Sequence, residues 1–166
     1  MAVQFKDNTI QVKVALNDTT IAWLHEWAAE ITSHAQRNCS TGEEYSSQLR
    51  GSYANKVNSG KGEAQIGTPL EAGFWEEWGT GEYAAHGDGR KGWWVYIKGQ
   101  ASQGGGKTYR TKEEAEDAAR FLRSKGLDAR ATNGRKPNYT LEKAFTVNKE
   151  KAIADLREKL GERMSK

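Results

Sequence analysis

The chain has one cysteine, three histidines and no apolar run near the roughly 20 residues that a membrane-spanning helix requires. With Cys39 alone, no intrachain disulfide can form, and a reducing cytoplasm is the natural compartment. The start of the chain, MAVQFKDNTIQVKVAL, lacks both an apolar core and a small-residue cleavage site, so no secretory signal is expected. His25, His34 and His86 are too few and too scattered for a convincing metal site. On a helix, His25 and His34 would stand about 13 Å apart along the axis, too far to chelate one ion together. Catalytic groups are equally sparse. Cys39 has no clear activating partner. Glu76 and Glu77 are adjacent and diverge on a helix, whereas a general acid–base pair must converge on one substrate. His86 with Asp88 reads more readily as turn chemistry than as a ligand pair. Gly104-Gly105-Gly106-Lys107-Thr108 lacks the glycine spacing of a phosphate loop and reads as a hairpin tip. The expectation is no catalytic residue, no metal, no cofactor and no enzymatic activity.

What is present is a lean, loop-rich composition. Hydrophobic residues make up 36% of 166 residues and glycine reaches 18 copies, so the six Trp and six Tyr must supply much of the core or of an interface. A chain of this size buries roughly 70% of the surface it exposes when unfolded, enough for one proper core. Charge is unevenly distributed along the sequence. Residues 1–89 carry 6 Lys/Arg against 12 Asp/Glu, and residues 90–166 carry 19 against 10. Two solvated faces would produce this, and so would acidic-to-basic contact between subunits in a ring or nucleic-acid contact through the basic half.

Periodicity orders the elements. Ile10, Val12, Val14 and Leu16 alternate with Gln11, Lys13 and Ala15, which predicts a strand ended by Asn17 and Asp18, with Asp18 a helix N-cap. Ile21, Leu24, Ala28, Ile31 and Ala35 then recur at helical spacing to about Asn38, with Trp23 and Trp27 widening the stripe. After a polar stretch at 39–51 comes a hairpin, Tyr53–Val57 and Ala64–Ile66, turning at Asn58-Ser59-Gly60. Leu70–Trp78 predicts a short helix stopped by Gly79. Trp93–Ile97 is a strand. Thr111 and Glu114 form a capping box, and Gly126 with Leu127 closes that helix before a strand at 127–132. A last helix starts near Thr140, with Leu141, Phe145, Ile153, Leu156 and Leu160 as its apolar side, and its charged tail, Lys149–Lys166, is expected to fray or meet a partner. The predicted fold is α+β: long N-terminal and C-terminal helices on a small antiparallel sheet, in one domain of residues 1–166 with an inserted strand–helix–strand unit at about 84–135.

Basic residues gather on that insert. Arg110, Arg120, Arg123, Arg130, Arg135 and Lys136 lie near Trp93, Trp94, Tyr96 and Tyr109, a mixture suited to phosphate contact and base stacking. The same pattern arises when aromatics form a core and cations cover it.

Three segments in order carry a resemblance. Ser40-Thr41-Gly42 precedes Leu49-Arg50-Gly51-Ser52. Ala64-Gln65-Ile66-Gly67-Thr68 leads into Phe74-Trp75-Glu76-Glu77-Trp78-Gly79-Thr80-Gly81. Pro137-Asn138-Tyr139-Thr140-Leu141-Glu142-Lys143-Ala144-Phe145 opens a charged C-terminal helix. The series resembles the tail-component (tail-completion) family of lambda-like siphophages over about residues 18–83 and 136–162. It departs at 84–135, where commoner members have a short loop. The resemblance implies a structural virion protein at the head–tail junction, assembled in the bacterial cytoplasm. It would act as a homo-oligomeric ring, six-fold symmetry being one option, together with other neck and tail proteins. Trp75, Trp78, Tyr83 and Trp93 would be core or subunit anchors, and no membrane is involved. The alternative is a DNA-binding module built on the basic insert, without sequence-specific readout.

Overall fold

No glycine or proline interrupts the chain between Thr9 and Asn38, and all 30 residues form one helix, α1 (Thr9–Asn38). The computed structural model describes residues 9–41, 46–98 and 106–165. The strand expected at Ile10–Leu16 is therefore helical, and Asn17 and Asp18 lie inside the helix instead of capping it. The alternation of β-branched residues misled here because their helix penalty is only a few tenths of a kcal/mol each. Extending an established helix is also far cheaper than nucleating one. The remaining helices are α2 (Ser46–Ser52), α3 (Glu71–Trp78), α4 (Lys112–Ser124) and α5 (Thr140–Met164).

The chain divides into two compact units. The first comprises Met1–Gly73 and Thr140–Lys166, the second Phe74–Tyr139. In the first, β1 (Ala54–Asn58) and β2 (Glu63–Gly67) form an antiparallel hairpin running from Ala54↔Gly67 to Asn58↔Glu63. Asn58 fastens its turn by accepting from the Lys61 N–H at 3.2 Å. The hairpin is tied to α1 through polar groups. Gln36 Nε2 donates to the Tyr53 carbonyl at 3.2 Å, and Asn55 Nδ2 donates to Thr32 Oγ1 at 3.1 Å. The core beneath joins Ile31, Ala35 and Cys39 of α1 to Leu49, Tyr53 and Ala144, with Ile66, Leu70, Ala72 and Leu141 packed against them.

Helices α1 and α5 meet along small side chains. Thr140, Ala144, Asn148 and Ala152, four residues apart, are the buried stripe of α5, and this i, i+4 ridge lets the backbones approach closely. Of the expected apolar side, Leu141 packs against the core and Ile153, Leu156 and Leu160 are half-buried, whereas Phe145 is exposed and the buried stripe is built from small residues. Trp23 Nε1 donates to the Ala152 carbonyl at 2.9 Å, and Trp27 Nε1 to Asp155 Oδ2 at 2.8 Å. Lys159 Nζ reaches both Asp155, at 2.8 Å, and Glu26 of α1. The charged tail thus docks on α1 through these pairs, and the helix runs on to Met164.

In the second unit, β4 (Trp93–Ile97) is the centre of a three-stranded sheet. Both β5 (Thr108–Tyr109) and β6 (Ala129–Thr132) pair with it antiparallel. The flanking strands β5 and β6 are therefore parallel to each other and are joined by α4. A second ribbon pairs β3 (Thr80–Gly81) with β7 (Gly134–Arg135).

Leu49 is fully buried, so Leu49→Ala should cost about 2–5 kcal/mol in urea denaturation. The Asp155 carboxyl is held below the usual aspartate range, first by its bond from Lys159 and then by that from Trp27. Its contribution is complete above the ordinary carboxylate range and is lost as pH falls through the lowered folded value. The difference in melting midpoint between the parent chain and Asp155→Asn should be constant above about pH 5 and shrink as pH falls toward 2.

Candidate functional site

Local signals build the second unit around α4. Thr111 Oγ1 accepts from the Glu114 N–H at 3.2 Å, and Glu114 Oε2 accepts from the Arg110 N–H at 3.1 Å, so orphan donors at the helix start are satisfied. At the other end Gly126 adopts φ +83°. There the Leu127 N–H bonds back to the Leu122 carbonyl at 3.2 Å and the Gly126 N–H to that of Arg123 at 2.9 Å, the two bonds of a Schellman closure. Ala115 and Ala119 of α4 and Ala129 of β6 are fully buried. Alternation along the paired strands then puts Trp93, Val95, Ile97, Tyr109 and Ala131 on the face of Ala129, and Trp94, Tyr96, Thr108, Arg130 and Thr132 on the other.

The four expected aromatic anchors separate into two kinds. Trp75 and Trp78 are half-buried; the Trp78 ring lies 4.8 Å from His86 and meets Tyr139 edge-on at 6.4 Å. Tyr83 and Trp93 instead lie under cations, Lys136 Nζ 5.8 Å from the Tyr83 ring centre and Lys112 Nζ 5.9 Å from that of Trp93. Three further pairs were not anticipated, one of them Lys125 5.5 Å over Phe121. Arg90 stands 5.0 Å over Trp94, and Lys107 5.0 Å over Tyr109. The Arg90 guanidinium also donates to Thr108 Oγ1 at 2.9 Å and to the Gly106 carbonyl, fastening its loop to β5.

Most of the expected basic surface is neutralised in place. Arg120 pairs with Asp117 at 2.9 Å, Arg123 with Glu116 at 3.6 Å and Arg130 with Asp128 at 3.4 Å. Asp128, and secondarily Tyr96, hold the Arg130 guanidinium above its ordinary pKa. Arg135 belongs to an internal pair, with Nη2 2.7 Å from the fully buried Glu76. By contrast Arg90, Lys91, Lys107, Arg110 and Lys112 make no ion pair among the described residues. These five gather where β4 meets β5.

Glu76 is the functional group that sequence reasoning underrated. Besides Arg135 it binds Asn138, whose Nδ2 donates to Glu76 Oε1 at 2.8 Å and whose backbone N–H donates to the Glu76 carbonyl at 2.8 Å. The β3–β7 ribbon is pressed closely beside it. A Cβ at Gly81 (φ +62°) would lie 2.3 Å from the Asn133 carbonyl oxygen and 2.5 Å from Trp94 Cη2, so only glycine fits there. Chemically, this cluster is a structural clasp. Among the described residues no group of three or more His, Cys, Asp or Glu is placed to hold a metal ion.

No protein-family model, curated protein or solved structure matches the chain.

Removing one member of the clasp strands the other, at a cost of about 3 kcal/mol. Glu76→Leu alone should lose about that much in urea denaturation, and adding Arg135→Met should restore a large part of it. Equal losses in the single and double variants would show that leaving Arg135 without Glu76 costs nothing.

Proposed function

We propose that this protein is a structural component of a long-tailed phage particle. It would work at the head–tail junction in tail completion or head–tail joining, as a homo-oligomer that contacts neighbouring neck and tail proteins. The observation that carries the proposal is the convergence of the three segments on which the family resemblance rests. Leu49, from the first segment, and Ala144, from the third, lie in one core cluster. Glu76, inside the aromatic–Glu–aromatic box of the second, is bound twice by Asn138 of the third. The motif residues are therefore the groups that packing depends on, as expected if the segments mark a shared architecture.

A second feature supports work by surface contact. Three of the chain's four phenylalanines are more than half exposed: Phe74 at 58%, Phe121 at 62% and Phe145 at 54%. Phenylalanine has no polar handle to compensate for exposure, and exposed aromatics are enriched in protein interfaces.

Light scattering on the full chain, alone and mixed with head and tail proteins of a long-tailed phage particle, tests the proposal. The expected result is a ring-sized oligomer or a stable complex; a monomer that joins none of them would end it. Phe121→Ser with Phe145→Ser should change stability by only about 0.5 kcal/mol, as surface substitutions do, yet shift that assembly toward monomer.

A further inference from the structure

We propose that the β4–β5 edge of the second unit binds the phosphate backbone of nucleic acid through Arg90, Lys91, Lys107, Arg110 and Lys112. The site differs from the basic set suggested by the sequence. Arg120 and Arg123 of α4 and Arg130 of β6 face carboxylates at 2.9–3.6 Å, so an incoming phosphate would have to displace an existing partner. The five at the β4–β5 edge have none among the described residues. The two carboxylates nearest in the bonding pattern already serve backbone donors: Glu82 accepts from the Gly92 N–H at 3.1 Å and Glu114 from the Arg110 N–H at 3.1 Å.

Contacts place three of these cations along one sheet edge, Lys107 and Lys112 on the face of Ala129 and Arg90 on the opposite face. Trp93 is the cross-strand partner of Tyr109, and Trp94 that of Thr108. Arg90 lies over Trp94, Lys107 over Tyr109 and Lys112 over Trp93, each 5.0–5.9 Å from the ring centre. An aromatic face holds a cation without neutralising it, unlike a carboxylate. The arrangement therefore fixes positive charge at the edge and leaves it available. Lys112, moreover, occupies the first turn of α4, where the helix dipole disfavours a cation, so helix stability does not explain its position.

The same geometry identifies the ligand class. Protein interfaces desolvate an apolar centre inside a polar rim. Here the ring faces are covered by cations, and binding must come from charge and counterion release, the mode of a polyphosphate backbone. Covered rings are also unavailable for stacking on bases, so backbone contact without sequence readout follows. The inference stands on these charges and distances and is independent of any role in a virion.

The test is fluorescence anisotropy with the full chain and a labelled mixed-sequence duplex of about 20 base pairs, at 50 and 200 mM salt. Binding should weaken about 100-fold or more between the two, as roughly four to five neutralised phosphates require. The combined variant Lys107→Gln, Arg110→Gln, Lys112→Gln, shown to be folded by its melting curve, should flatten the log–log salt slope by about 2 to 3. Arg120→Gln with Arg123→Gln, which removes paired cations, should leave the slope unchanged. A second duplex of unrelated sequence should bind within a few-fold of the first. Four results would overturn the proposal: no binding at 50 mM salt, equal loss in both variants, a strong preference between the duplexes, or displacement of DNA by polyglutamate at equal charge, which would indicate an acidic protein partner.

Discussion

A carboxylate removed from water costs several kcal/mol unless charge and hydrogen bonds replace the lost hydration. Glu76 is fully buried, and its replacements come from far along the chain: Arg135, 2.7 Å away, and Asn138, 62 residues downstream. The second unit can close only when its last residues return to its first helix. The β3–β7 ribbon and the unhindered approach at Gly81 then follow from that return. Pairing at such sequence separation pays its loop-closure entropy before any contact rewards it. The three-stranded sheet around α4, with shorter connections and complete caps, has no such requirement.

How much could be read from the residues depended on how local the cause was. Helix α4 was legible end to end because Thr111, Glu114, Gly126 and Leu127 satisfy its termini within a few positions. The hairpin turn and β4 were legible for the same reason. Helix α2 was not. It contains Gly51 and three serines, a poor helical composition, and its buried residues are Ser46 and Leu49; tertiary packing outweighs propensity there. The buried stripe of α5 was not legible because large apolar residues were counted, while the buried positions hold alanines, a threonine and an asparagine. The clasp escaped because nothing near Glu76 in sequence signals a partner some sixty residues away.

The imbalance of charge along the chain also changes meaning in three dimensions. Residues 74–139 carry 12 Lys/Arg against 9 Asp/Glu, and the first unit carries 13 against 13. Most of the apparent polarity is internal to the second unit, where residues 74–89 carry no Lys/Arg against 4 Asp/Glu and residues 90–139 carry 12 against 5. The second unit nets a modest +3, and its cations without an ion pair among the described residues include the five at the β4–β5 edge as well as Lys125 and Lys136. Position, more than total charge, gives that surface its character.

The backbone bond from the Asn138 N–H to the Glu76 carbonyl, 2.8 Å long, has an architectural consequence. The two points where the polypeptide passes into and out of Phe74–Tyr139 are hydrogen-bonded neighbours, so the intervening sixty-odd residues form a closed cassette. Chain ends that lie this close tolerate replacement of what they bracket. A short turn joining the same two positions would shorten α3 but leave α1, α2, α5 and the β1–β2 hairpin with their own contacts. Lineages could therefore lengthen, trim or exchange the cassette without refashioning its host.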